Sequence, residues 1–382
     1  MRRLLERINL TDVLMFIVGG LILALVIIGS VETLLAGKYG TRQWLDLIVY
    51  GIALGSIYAL IALGYTLVYG ILRMINFAHS EVFMSGPFTA YFLADSWGQS
   101  GFLDQNPVLG LLAIFLMAMT VSVVIAVLLE RIAYRPLRFA PRLVPLITAI
   151  GASFFLQYFF RGLYGPNIKV YPDIPALNGA FQVGDLKVTY IQILVIVAAA
   201  LMMAGLQFFI QRSRIGKAMR AVSEDKQTAA LMGIDVNNII VITFVIGGAL
   251  AGAAGVLYAL MFKQVGFMMG FIPGIKAFTA AVFGGIGNVP GAMAGGLILG
   301  LAESLGPNLF LDGLGIPAPY QLRDVIGFTM LVLILIFRPS GILGERLAQR
   351  KREVIYLWPN PKQRSRAWHP PPFWCPPSRL GW

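Results

Sequence analysis

The stretch 45–72 carries no charge after Asp46. At about 1.5 Å per residue such a run outreaches a ~30 Å hydrocarbon core, so its helix must tilt, kink or be interrupted. Gly51, Gly55, Gly64 and Gly70 punctuate it, and the four-residue spacing of Gly51 and Gly55 lets two helix backbones approach closely. Further apolar runs lie at 13–36, 75–94, 108–129, 144–160, 188–210, 239–262 and 325–337. Charged residues make up only 13% of the chain, about half the share in soluble domains, and the mean hydropathy is +0.77.

These features predict an all-α polytopic membrane protein. About eight transmembrane helices are expected, plus a re-entrant or broken-helix hairpin near 275–305, where the runs 275–286 and 291–305 are short and GGIGNVPG joins them. The organisation expected is a membrane domain over 1–345 and a basic, Pro- and Trp-rich tail over 346–382. The basic patch MRRLLER followed by a long apolar run reads as an uncleaved first span, since no A-x-A cleavage site follows it.

The net charge of +12 would suit nucleic acid only on a basic face of a soluble domain. Here the basic residues flank spans, so they report topology and no nucleic-acid partner is expected. The N-terminus, Arg73, the loop 130–142, the stretch 211–238 and the chain from Arg338 onward hold 22 of the 30 Lys and Arg residues. The positive-inside rule puts all of these pieces, and both termini, in the cytoplasm. The single cysteine, Cys375, excludes an internal disulfide and a cysteine-rich metal site; no metal and no cofactor are expected. No G-x-x-x-x-G-K-[ST] occurs, and Pro290 breaks any G-x-G-x-x-G, so no nucleotide site is legible.

Three places could carry function. The stretch 211–238, QRSRIGKAMRAVSEDKQTAALMGIDVNN, is polar and favours one or two short helices on the membrane surface where a soluble partner could dock. Asn76, His79, Ser80 and Glu81 put polar and ionisable groups inside a span, where such groups face protein or a wet pathway. His79 and Glu81 stand two apart and so do not share a helix face. Gly284, Gly285, Gly287 and Asn288 lie in the expected hairpin, where irregular backbone must be buried or line a cavity. The second and third places are candidates for a translocation path. Helix packing, and hydrogen bonding to neighbouring helices, are the structural alternatives. The bilayer itself is the one partner that composition requires.

Three segments, GIALGSIYALIALGYTLVYGILRMINFAHSEVFMSG (51–86), AVSEDKQTAALMGID (221–235) and FRPSGILGE (337–345), together resemble the branched-chain amino-acid ABC transporter permeases, specifically the high-affinity H-type subunit. The likeness extends over nearly all of 40–345. It implies a non-enzymatic membrane subunit in a bacterial inner membrane that works with a second related permease subunit, two ABC ATPase subunits and a periplasmic or extracellular substrate-binding protein. The stretch 211–238 then corresponds to the loop whose coupling helix follows the pattern E-A-A-x-x-x-G. That pattern falls on Gln227, Thr228, Ala229 and Gly233, with Gln227 in place of Glu and Thr228 in place of Ala. Glu224 could supply the missing charge, Arg220 and Ala230 belong to the same loop, and Ala229, Leu231 and Met232 are expected to pack into an ATPase groove. Urea or short-chain amide permeases look similar. From another class, a proton-coupled secondary transporter would use Glu81 and His79 as a relay and need no ATPase, and a membrane-embedded enzyme would need a nucleophile, base and orienter that are not visible.

Overall fold

The computed structural model describes residues 10–344 except 139, 142, 185, 318 and 339; the first nine residues, Glu345 and the 346–382 tail lie outside the described residues. Helices α1 (Leu10–Ala36), α2 (Thr41–Leu72), α3 (His79–Gln99), α4 (Pro107–Leu128), α5 (Leu143–Tyr164) and α6 (Tyr190–Arg212) are followed by two short ones, α7 (Arg214–Glu224) and α8 (Lys226–Leu231). Helices α9 (Val236–Phe262), α10 (Phe271–Gly284), α11 (Val289–Gly306) and α12 (Arg323–Phe337) complete the chain. The strands among the described residues form two short antiparallel pairs, Lys169–Val170 with Gln264–Val265 and Ala180–Val183 with Leu186–Thr189.

Among the described residues, eight helices are long and apolar enough to cross a membrane. They differ from the expected set in one exchange. α3, polar at both ends, is not among them, whereas α11, continued by a π turn to Leu311, is a full 23 residues. The hairpin at 275–305 is present as α10 and α11, and its second arm is long enough to span. The eight helices are unequally placed: α2 and the α9 span are 72% buried, whereas α1 and the α12 span are 11% buried. Two glycine-lined helices therefore form the core and two leucine-rich ones form the rim.

Because lipid is as apolar as a protein interior, close approach rather than hydrophobicity holds such helices together. α11 runs antiparallel along α2. A Cβ at Gly51 would stand 2.9 Å from Ser304 Cβ, and one at Gly55 would stand 2.8 Å from Leu297 Cα, so the spacing read from the sequence is the seam of this pair. In the same way Gly248 and Gly252 of α9 lie against Ala126 and Met119, with a Cβ at 2.9 Å in each case.

Two helices start inside the bundle. α2 stops at Arg73, which takes a left-handed φ of 58° and donates its N–H to the Tyr69 carbonyl (2.8 Å). The chain then turns back, and His79 packs directly on Gly64, about 12 Å short of the end of α2 at the rise of an α-helix. α10 likewise begins against α3: Gly270 and Gly274 both lie on Ser80, and Gly270 would place a Cβ 3.1 Å from Met84 Cβ. The first turns of α3 and α10 thus cross at Ser80. Such discontinuous helices are tolerated in a membrane protein only where other protein covers them.

Candidate coupling surface and buried polar sites

The loop between α6 and α9 is built by caps. Ser213 accepts from Gly216 N–H (2.8 Å) to start α7, and Asp235 accepts from Asn237 and Asn238 N–H (3.0 and 3.1 Å) to start α9. Asp225 starts α8, accepting from Gln227 and Thr228 N–H at 2.8 and 3.2 Å while the Thr228 hydroxyl donates to its other oxygen at 2.7 Å. These bonds, the Thr228 hydroxyl first, hold the Asp225 carboxyl below its ordinary value of 3.8. The Thr228 hydroxyl therefore adds a bond that an alanine there would lack, although the backbone N–H bonds of the cap would remain. Gly233 ends α8 at φ 84°, where its N–H donates to Ala230 O (3.0 Å) and the Ile234 N–H donates to Ala229 O (3.1 Å), the left-handed stop that favours glycine.

Arg220, Glu224, Gln227, Thr228, Ala230 and Gly233 are all exposed. Leu231 and Met232 are 87% and 79% exposed, and Leu231 is the most exposed of the large apolar residues described. Ala229, expected to face a partner beside them, is 3% exposed and packs into the chain's own core. That expectation is corrected: on a helix of one and a half turns, the residue two before Leu231 points the opposite way. The loop is also tied to the bundle. Arg73 Nη2 donates to Ser223 O at 2.9 Å, and Lys226 Nζ reaches to 3.5 Å from Leu72 O. Burial, then the charges of Arg138 and Arg73, hold Lys226 below the ordinary 10.5.

The four polar residues after Arg73 separate into different roles. Asn76 Oδ1 accepts from Tyr134 OH at 2.5 Å, pinning the turn before α3 to the π turn at Leu129–Tyr134. His79 is 2% exposed, with the Tyr65 ring edge-on at 4.9 Å and its Nε2 unpartnered. Ser80 Oγ donates to Phe77 O (2.7 Å) and lies 3.2 Å from Glu81 Oε1. Glu81 is wholly buried; its Oε1 also accepts from Ser153 Oγ (3.1 Å) and Gln157 Nε2 (2.8 Å) of α5, and its Oε2 has no partner. His79 thus turns to α2 and Glu81 to α5, as a two-residue separation on a helix requires.

Gly284, Gly285, Gly287 and Asn288 close the α10–α11 hairpin. Gly284 packs on Gly291, a Cβ on Gly287 (φ 97°) would stand 4.0 Å from Gly70 Cα, and Asn288 accepts from Gly291 N–H at 3.2 Å as the cap of α11. Gly285, at φ 103°, lies against Gly344. The segment after α12 covers this turn: Ile342 and Leu343 N–H donate to Phe283 O (2.8 Å) and Gly284 O (3.1 Å), and Asn288 Nδ2 donates to Leu343 O (2.7 Å). The turn therefore lies level with the end of α2.

A third buried polar cluster was missed. Lys276 of α10 donates to Glu303 of α11 at 2.8 Å and to Asp324 of α12 at 2.7 Å, and Tyr58 of α2 donates to Glu303 at 3.0 Å. The available signal was a lone lysine inside the apolar run 275–286 and a lone glutamate inside 291–305, each costly in a membrane unless paired.

Comparison with known proteins explains this arrangement of parts. Residues 47–335 match the family described as branched-chain amino acid transport system / permease component. The chain belongs to that permease family. It is 47% identical to the high-affinity branched-chain amino acid transport system permease protein BraD of Pseudomonas aeruginosa, over 79% of this chain and 96% of the relative. Identity to LivH of Escherichia coli K12, described in the same words, is 42% over 77% of this chain and 93% of the relative. A more distant match is the fructose import permease protein FrcC of Rhizobium meliloti, 26% identical over 42% of this chain and 47% of the relative. No solved structure matches. The permease is thus a multi-pass membrane subunit of an ABC importer, a transport component rather than an enzyme, and such a subunit works with an ATPase and a binding protein.

Proposed function

We propose that this permease carries branched-chain amino acids across a bacterial inner membrane, with the loop 211–238 and both termini in the cytoplasm. Its complex contains a second related permease subunit, two ABC ATPase subunits and an extracytoplasmic substrate-binding protein. The observation that carries the reading is the pair Leu231 and Met232, apolar and 87% and 79% exposed, at the tip of a capped loop on the basic side of the bundle. An apolar knob on a rigid base fits a partner groove.

ATP-driven closure of the ATPases pulls on this loop, and the Arg73–Ser223 and Lys226–Leu72 contacts pass the movement to the end of α2 and so to the turn that leads into His79, Ser80 and Glu81. Those residues, with Asn76 beside them, are the segment of the path we assign to α3. The hairpin Gly284, Gly285, Gly287 and Asn288, locked to 341–344, moves with α12. ATP can bias access only if the loop binds the ATPases differently in the two states.

Leu231→Asp combined with Met232→Asp is expected to abolish co-purification of the ATPase while the permease still reaches the membrane. Retention of the ATPase at wild-type levels overturns the docking assignment. Uptake that survives a protonophore when ATP is maintained is expected; collapse under those conditions favours a proton-coupled carrier instead.

A further inference from the structure

The Lys276 cluster is more than a pair. Arg323 Nε lies 3.6 Å from Asp324, so two cations and two anions from α10, α11 and α12 meet around Tyr58, with no net charge. Lys276 and Glu303 are buried, their side chains 3% and 0% exposed, but Arg323 and Asp324 are each 41% exposed. The cluster is therefore closed on one side and open on the other. It lies toward the end of the bundle opposite the 211–238 loop, because Ser304, next to Glu303, faces Gly51 in the first third of α2, and Asp324 is in the first turn of α12.

Two details do not fit a purely structural latch. Glu303 Oε1 is buried with no hydrogen-bond partner, and it lies close against the backbone of Gly327, where a Cβ would stand only 2.7 Å away. Burying ions in apolar surroundings roughly breaks even against well-packed apolar side chains at best, and an unfilled acceptor makes the balance worse. One turn before Lys276, on the same face of α10, Ile272 is 39% exposed. The site therefore offers fixed positive groups, fixed negative groups, one vacant acceptor and an adjacent apolar side chain.

We propose that this cluster receives the zwitterionic head of the transported amino acid on the extracytoplasmic side. The proposal rests on the importer reading and deepens it. The α-carboxylate takes the place of Asp324 at Lys276 and is shared with Arg323. The α-ammonium donates to Glu303 Oε1 and to the released Asp324. The apolar side chain lies on Ile272. The net charge of the cluster is unchanged, because the zwitterion is itself neutral and each of its ends meets groups of opposite sign.

The test uses the assembled permease–ATPase complex in nanodiscs without binding protein, with radiolabelled leucine as probe in equilibrium dialysis. Asp324→Asn is expected to weaken leucine retention about tenfold to a hundredfold, the scale of one charge-assisted hydrogen bond, and Asp324→Glu to restore it. Wild-type retention by Asp324→Asn, at equal amounts of assembled complex, overturns the proposal. A second measurement needs no variant: 4-methylpentanoate, which lacks the ammonium, and isopentylamine, which lacks the carboxylate, are both expected to compete with leucine at least about tenfold more weakly than leucine itself. Equal competition by either analogue overturns the proposal. ATP-dependent leucine uptake by wild-type proteoliposomes supplied with the binding protein separates the two levels. Its absence defeats the importer reading, whereas uptake without leucine retention by the binding-protein-free complex defeats this site alone.

Discussion

Glu81 and Glu303 are both buried in the helical bundle, at 0% and 2% exposure, but they are held by opposite means. Glu81 is surrounded by neutral donors, Ser80, Ser153 and Gln157. Glu303 is held by the Lys276 ammonium and the Tyr58 hydroxyl. A carboxyl among neutral donors can be replaced by an amide without leaving any charge behind. A carboxyl in an ion pair cannot, because its partner becomes the buried orphan. The difference separates a group whose chemistry can be changed without unfolding the bundle from one that is also part of its framework.

The most severe way to sharpen this contrast is Lys276→Met. It leaves Glu303 and Asp324 without their shared cation and is expected to cost about 3–5 kcal/mol, read as loss of assembled, detergent-stable permease in thermal unfolding. Wild-type stability in that variant would break the comparison outright. Gln157→Ala removes the shortest bond to Glu81 and is expected to cost about 1.5–3 kcal/mol in the same assay. Glu81→Gln should change stability by less than about 1 kcal/mol, since an amide of the same shape accepts the same three donors. Its effect should appear in uptake kinetics, and an unchanged KM and rate would remove Glu81 from the path.

The smallest effect concerns a carboxyl that is neither buried nor paired with a cation. Asp225 caps α8 from the surface, with its folded value depressed below 3.8 by the Thr228 bonds. A depressed carboxyl stabilises above its unfolded value, and the contribution is lost as pH falls through the folded one. Amide protection at Gln227 and Thr228, corrected for intrinsic rates, should therefore hold at neutral pH and fall only on strong acidification. Asp225→Ala should show the unprotected rates at every pH.

Several features were readable before any coordinates. The short helices of the 211–238 stretch were legible because helix propensity is local, whereas the Ser213, Asp225 and Asp235 caps that start them came only with the structure. The glycine seam at Gly51 and Gly55 was legible because spacing along one helix is local. Ala229 was misread because its family pattern marks a position, whereas burial depends on which side of a very short helix faces the bundle. Lys276 and Glu303 were passed over because each looks isolated in sequence. They stand 27 residues apart, and Lys276 and Asp324 stand 48 apart.

By itself the chain determined that it crosses a membrane repeatedly, which loops carry the basic residues, where the polar stretch 211–238 lies, and which family it resembles. All of these rest on composition, charge and short-range hydrogen bonds. Only the tertiary structure decided that α3 and α10 begin inside the bundle and cross at Ser80, that His79 and Glu81 face different helices, and that four charges gather beside Tyr58. The reason is physical. In water an apolar stripe marks the buried face of a helix, but in lipid both faces are apolar, so sequence periodicity carries little information about which side chains meet.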